Sequence, residues 1–236
     1  MTKGIKHHLD ELRAICEEQL AAKSSHTWKE PGNKFCHGIR TAKVAERLRK
    51  AICPDDTSVN PDVLTVAAWF HDLRNGQEDH ENAGADALPA LIGHLVTEEE
   101  LTAVCDLIRL HDHRMKDIAI DERLAAYPPA LLLLQDADFL DHLGTYSVWA
   151  TFADFTYRQK TPYDYAAQFT DGSYDRFAAR WRREINYPRS LEIFEEKINF
   201  EVEFGKRMLR ELTGGAVSLG SAFILCYTTS HKEDDP

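Results

Sequence analysis

His71 and Asp72 stand side by side at the end of the apolar run 66–70 (VAAWF). An imidazole or a carboxylate carried into apolar surroundings costs roughly 2–7 kcal/mol unless it finds a partner. A divalent cation partners both, because it binds a neutral imidazole nitrogen and a carboxylate oxygen together. Neighbouring residues at a helix end splay by about 100° around the axis. Both reach one ion only if it lies beyond that end, so other helices must supply the remaining ligands. His37, in FCHGIRTAKVAERL, opens a helix whose next turns are small and apolar. Asp138 is a carboxylate inside the leucine-rich stretch LLLLQDADFLDHLG. Two imidazoles and two carboxylates, completed by water, make an octahedral set suited to manganese, iron or cobalt. They suit structural zinc poorly, since zinc there prefers thiolate-rich tetrahedra. The dipeptide alone says little, because His111-Asp112 repeats it. The ordered series of histidine, His-Asp after an apolar helix, and aspartate within a leucine-rich helix is far rarer than any of its parts.

Helices must position these side chains. Apolar residues recur at helical spacing nearly throughout, and no stretch alternates strictly, so the chain is predicted to be all-α. Ile5, Leu9, Leu12, Cys16 and Leu20 mark a first amphipathic helix, and Thr41, Ala45, Leu48 and Ile52 a second that stops at Pro54. Asn60-Pro61 is a capping side chain followed by proline at the first helical position, and opens a helix through VLTVAAWFHDL. Thr97 with Glu100 forms a capping box before Leu101, Val104, Cys105 and Ile108. After Pro128-Pro129 comes a helix apolar almost all round, ended by Gly144, which belongs in the middle of the core. Aromatic-rich helices follow to about residue 160, then a long one through Phe194, Ile198, Val202, Gly205, Leu209 and Leu212. Polar loops are expected at roughly 24–34, 54–60, 74–80 and 112–122. One helical domain is read over 1–212, with the metal-site core at about 34–145 and C-terminal helices at about 146–212. The stretch 213–236 changes character, with glycines, a short apolar burst and an acidic end; it either docks on the body or stays disordered.

Composition bounds the function. At 236 residues, with 43% apolar side chains, the chain can build a core without disulfides. Its five cysteines are scattered and never spaced CxxC, which argues for a reducing compartment and makes the cytoplasm the default. No leader peptide or membrane span is read. Acidic residues outnumber basic ones by 39 to 28, for a net charge of −11. That bias disfavours long nucleic acid as a partner. It leaves a small anionic substrate open, because a bound cation sets the local field.

Four segments together resemble the HD superfamily of metal-dependent phosphohydrolases, and more narrowly its small stand-alone bacterial branch with members described as nucleotide pyrophosphohydrolases. HGIRTAKVA is similar to that branch's first-histidine helix, AAWFHDL to its HD helix, and HENAGADAL to the helix that follows. LLLLQDADFLDHLG is close to its DADRLDxLG segment and is the most specific of the four. The resemblance spans about residues 10–160, with weaker likeness to Leu212. It implies an HD-type helical bundle with additional C-terminal helices. It also places His37, His71, Asp72 and Asp138 as ligands of one divalent ion, manganese first, with iron, cobalt, nickel or magnesium as alternatives. There are departures: Thr41 stands where valine is usual, Phe139 replaces the arginine of DADRLD, and the loop before His37 is longer. Phe139 removes a phosphate-binding cation and so weakens assignment of the substrate.

The chemistry expected is hydrolysis of a phosphate ester or anhydride in a nucleotide or similar small phosphorylated metabolite, through metal-activated water. The reaction needs a base, for which Glu78 and Asp79 in the loop after Asp72 are the candidates; as solvated loop charges they would be inert. Arg40, one turn from His37, and Arg74, just past Asp72, are the candidate phosphate contacts. His80 and His111 are read as substrate contacts or supports of the ligands, although in some HD proteins histidines at such places bind a second metal. His113 stays unassigned, and Asp136 and Asp141 are expected to orient side chains around Asp138. Two other functions compete: a non-catalytic HD module that binds a nucleotide and signals, and an HD-fold di-iron oxygenase. A homodimer is compatible with the sequence.

Overall fold

Apolar faces at helical spacing leave few arrangements besides helix packed on helix. A computed structural model, describing residues 4–23, 32–113 and 115–214, bears this out. A 3₁₀ turn at Ile5–His7 precedes α1 (Leu9–Leu20), α2 (Asn33–Ile52), α3 (Pro61–Phe70), α4 (His80–Ile92) and α5 (Glu98–Leu110). There follow α6 (Ile120–Ala126), α7 (Pro129–Asp141), α8 (Thr145–Tyr157), α9 (Pro162–Ala167), α10 (Ser173–Arg182) and α11 (Pro188–Leu212). No strand occurs among the described residues.

The starts of α3 and α5 follow the capping chemistry. The Asn60 side chain accepts from the backbone N–H of Asp62 and Val63, with Pro61 in the first turn of α3. Thr97 and Glu100 close the box on α5, and Glu100 also accepts from the Ile5 N–H, which ties the N-terminal turn to that helix. Leu131, Leu132, Leu133, Leu134 and Ala137 of α7 are all fully buried, as expected of a central helix. Around α7 pack α2, α3, α5 and α11. A continuous cluster of buried apolar side chains runs from Ile5 to Ile198.

Some boundaries differ from those predicted. The first amphipathic stretch breaks at His8 into a turn and a helix. The loop expected to reach residue 34 ends sooner, with α2 beginning at Asn33, and α6 takes up the end of the expected 112–122 loop. Between residues 160 and 188 two short helices appear that periodicity did not separate. Their signals are local: Thr161-Pro162 with Asp164 forms a capping box, and Gly172 in the left-handed region precedes α10. The tail from residue 215 and the segment 24–31 lie outside the described residues.

Helix α2 lies closely against α3 because residue 38 is glycine. A Cβ there would meet the Trp69 carbonyl oxygen at 2.7 Å. This contact sets the spacing of the two helices that carry His37 and His71.

Candidate metal centre

Three helix segments bring the chemistry together. The first turns of α2 supply Lys34, His37 and Arg40, the turn after α3 supplies His71 and Asp72, and the end of α7 supplies Asp138, Asp141 and His142. His71 Nδ1 lies 2.8 Å from the Ala68 carbonyl, which can only accept. Nδ1 therefore carries the hydrogen and Nε2 presents a lone pair. His37 Nδ1 lies 2.8 Å from Asp141 Oδ2, and Arg40 donates to both oxygens of the same carboxylate. His37 is thus turned the same way, Nε2 inward.

The inward atoms converge. The two Nε2 atoms are 3.2 Å apart. Asp138 Oδ1 lies 3.0 Å from that of His37 and 3.6 Å from that of His71. Asp72 Oδ2 lies 3.9 and 3.7 Å from the same two nitrogens. Octahedral ligands at about 2.1 Å from an ion are about 3.0 Å apart when adjacent and about 4.2 Å apart when opposite, and each of these separations falls within that range. Asp138 Oδ1 is buried without an aligned hydrogen-bond donor, although three imidazole nitrogens surround it, His142 Nε2 being the third at 3.4 Å. A buried carboxylate oxygen among three ring nitrogens needs positive charge beside it, which protons on those rings or a bound cation can supply. The donor set, two imidazoles and two carboxylates, fits a divalent ion.

Electrostatics agree. Burial alone would raise Asp72, but the charges of His71, Lys34 and His37 hold it far below the usual carboxylate range. Burial likewise opposes the ionised form of Asp138, and the imidazoles of His142, His37 and His71 crowded around it pull it well down. Burial would lower His37, yet Asp138 and Asp141 lift it to about 9. A proton on His37 offsets part of this negative charge, and a divalent cation would offset more of it.

The other sequence candidates fall in three places. Arg40 is occupied: beyond its bonds to Asp141, its guanidinium stacks 3.8 Å over the Tyr146 ring. It holds Asp141, and through it His37. Arg74 is half-buried just past Asp72, while Glu78 and Asp79 are exposed in the following loop. Asp79 adopts a positive φ of 56° and accepts from Asn82. His80 and His111 lie on the far side of Asp72. His80 Nε2 is 3.8 Å from Asp72 Oδ1, and the His111 ring is 5.3 Å from His80 and 5.1 Å from His71. Asp72, His80 and His111 present ligand atoms within 4.8 Å of one another, as do His37, His71 and Asp72. Burial keeps His111 low, and its Nδ1 hydrogen goes to the Ile108 carbonyl at 2.6 Å, so Nε2 is again the free face. Asp136 orients nothing in the cluster: it accepts from the backbone of Asn186 and Tyr187 and fastens the start of α11 to α7.

Sequence reading missed Lys34 and His142. Both sit about one turn from a candidate ligand, Lys34 three residues before His37 on α2 and His142 four after Asp138 at the end of α7, and that spacing was the available signal. Lys34 is buried and donates to Asp72 Oδ2. His142 forms a further ligand-like trio with His37 and Asp138.

No protein-family model and no curated protein matches the chain. Solved structures do. A protein of Bacillus thuringiensis described as an HD-superfamily hydrolase superposes with a TM-score of 0.63 at 20% identity, over 89% of this chain and 98% of its own. YpgQ of Bacillus subtilis in complex with ADP gives 0.58 at 16% identity, over 88% and 99%. A protein of Lactobacillus plantarum gives 0.57 at 19% identity, over 91% and 100%. The chain therefore has the HD-domain fold, all-α and matched over nearly the full length of these structures. No helix among the described residues is long and apolar enough to cross a membrane.

Proposed function

We propose that this chain is a metal-dependent hydrolase of phosphate ester or anhydride bonds, acting on a nucleotide or a similar small phosphorylated metabolite. The supporting observation is the convergence of two inward-facing imidazole nitrogens on Asp138 Oδ1, a buried oxygen without an aligned donor. The ADP bound in the Bacillus subtilis structure favours a nucleotide. His37, His71, Asp72 and Asp138 hold the ion, manganese first. When bound, it supplies Lewis acidity toward a phosphoryl oxygen and lowers the pKa of adjacent water.

The chain's own residues do the rest. Asp141 and Ala68 hold the Nδ1 hydrogens of His37 and His71, fixing which nitrogen faces inward. Glu78 or Asp79 accepts the proton of the attacking water, and Arg74 meets a phosphoryl oxygen. The cytoplasm is the proposed setting, on the scattered spacing of the five cysteines in the sequence.

A second reading follows from the trio Asp72, His80 and His111. Asp72 turns one oxygen to each cluster, an arrangement that favours two ions and reopens the di-iron oxygenase alternative. Metal stoichiometry and iron content separate it from the single-ion hydrolase.

The test is phosphate or pyrophosphate release from a nucleotide panel by the manganese-loaded protein. His71→Ala and Asp72→Ala should abolish metal retention and turnover while helix content persists; full activity in either variant refutes the site. A loaded protein that binds nucleotides and releases nothing is instead a binding module.

A further inference from the structure

Lys34 is only 7% exposed, an unusual place for an ammonium. Its Nζ donates to Asp72 Oδ2, the oxygen that faces both imidazole Nε2 atoms. The other Asp72 oxygen is engaged separately, accepting from Asn75 at 3.0 Å. A cation held by the two imidazoles and Asp72 would therefore share one carboxylate oxygen with Lys34. An ammonium has three donors. Among the described residues Asp72 is its one hydrogen-bond acceptor. Its other N–H groups make no hydrogen bond to the described residues and are available to a ligand beside Asp72.

The alternatives for phosphate recognition at this edge are weaker. Arg40 is tied to Asp141 and to the Tyr146 ring. Phe139, where a cation would be expected from the resemblance, packs edge-on against Trp181 at 4.8 Å. We infer that Lys34, together with Arg74, anchors the substrate's phosphate, its ammonium held on Asp72 Oδ2 at the edge of the cradle. This rests on the metal-cradle reading above. Lys34 has a second consequence for the same site: a positive charge on a ligand oxygen weakens cation binding, so the chain gives up some metal affinity for hold on the phosphate.

Two variants test this on the intact chain, Lys34→Met, which keeps length without charge, and Lys34→Arg, which keeps charge. Titration calorimetry is run with Mn²⁺ on chelator-treated protein and with inorganic phosphate on Mn²⁺-loaded protein. Lys34→Met should bind Mn²⁺ at least as tightly as the wild type and bind phosphate about tenfold more weakly or worse, while Lys34→Arg keeps most of the phosphate affinity. A purely structural role for Lys34 predicts the reverse for the metal, a weaker site, and that result overturns the inference. So does unchanged phosphate binding in Lys34→Met. Wild-type protein that takes up no Mn²⁺ fails earlier and sinks the cradle itself. If Lys34→Met does not fold, Lys34→Gln carries the same comparison with the same two outcomes.

Discussion

Gly38→Ala tests whether helix spacing sets the site. The added Cβ would stand 2.7 Å from the Trp69 carbonyl oxygen and 3.1 Å from that of Ala68, against 3.4 Å where ordinary contact begins. Trp69 O cannot recede cheaply, because on its other side it accepts from Cys16 Sγ at 3.2 Å. Helices α2 and α3 must then part by about 0.7 Å, where metal–ligand distances tolerate about 0.2 Å. Overpacking of this kind costs about 1–3 kcal/mol, while alanine in a helix returns about 1 kcal/mol over glycine. The net loss of stability is therefore small, up to about 2 kcal/mol. Affinity for Mn²⁺ should fall by roughly 10–100-fold, as it does when supports of metal ligands are disturbed. Gly84→Ala is the control: a Cβ there meets Ile108 and Leu73 at 3.7 Å, ordinary contact. It should raise the melting temperature by roughly 2–4 °C and leave Mn²⁺ binding alone. Calorimetry and thermal melts of both variants decide. Wild-type Mn²⁺ affinity in Gly38→Ala would refute the claim that this contact sets the spacing of His37 and His71.

The two aspartates flanking Asp138 should behave differently. Asp141→Asn loses the charge that holds His37 and Arg40, and should weaken Mn²⁺ binding roughly 10–100-fold; Asp136→Asn should cost about 1–3 kcal/mol in urea unfolding and leave Mn²⁺ affinity unchanged. Glu78→Gln and Asp79→Asn, made separately, should both retain metal, and if neither lowers turnover the proton acceptor lies elsewhere. Burial raises the Glu201 carboxyl, against hydrogen bonds from Gly144 N–H, Tyr174 and Ser147. A folded value above the unfolded one gives stability at low pH that is lost as pH rises through the folded value. Glu201→Gln should therefore gain on the wild type as pH rises above the ordinary glutamate range in urea melts; a pH-independent difference would show that the carboxyl is not raised.

Much of the site was legible because its parts are local. The apolar run before His71, the leucine-rich helix around Asp138 and the caps at Asn60 and Thr97 are each visible in a short window. Side-chain direction was not legible. Arg40 lies one turn from His37, as expected of a phosphate contact, yet across the helix interface Asp141 claims it. Asp136 and Asp141 look alike in QDADFLD, and only the packed helices show that one faces His37 and the other faces the start of α11. Lys34 was hidden for a thermodynamic reason. A lysine at the start of a helix is ordinarily solvated, and only a carboxylate brought from another helix makes its burial tolerable.

On the function proposed above, the charges around the cradle account for how so acidic a chain would draw in a phosphate. Asp72, Asp138 and Asp141 carry three negative charges against the two positive charges of Lys34 and Arg40. With both imidazoles neutral, the cluster stands at −1. A proton on His37, lifted to about 9, brings it to zero. A divalent cation in place of that proton brings it to +1, a positive point on a surface whose net charge is −11. Phosphate affinity should therefore depend on the loaded ion far more than on the chain's overall charge.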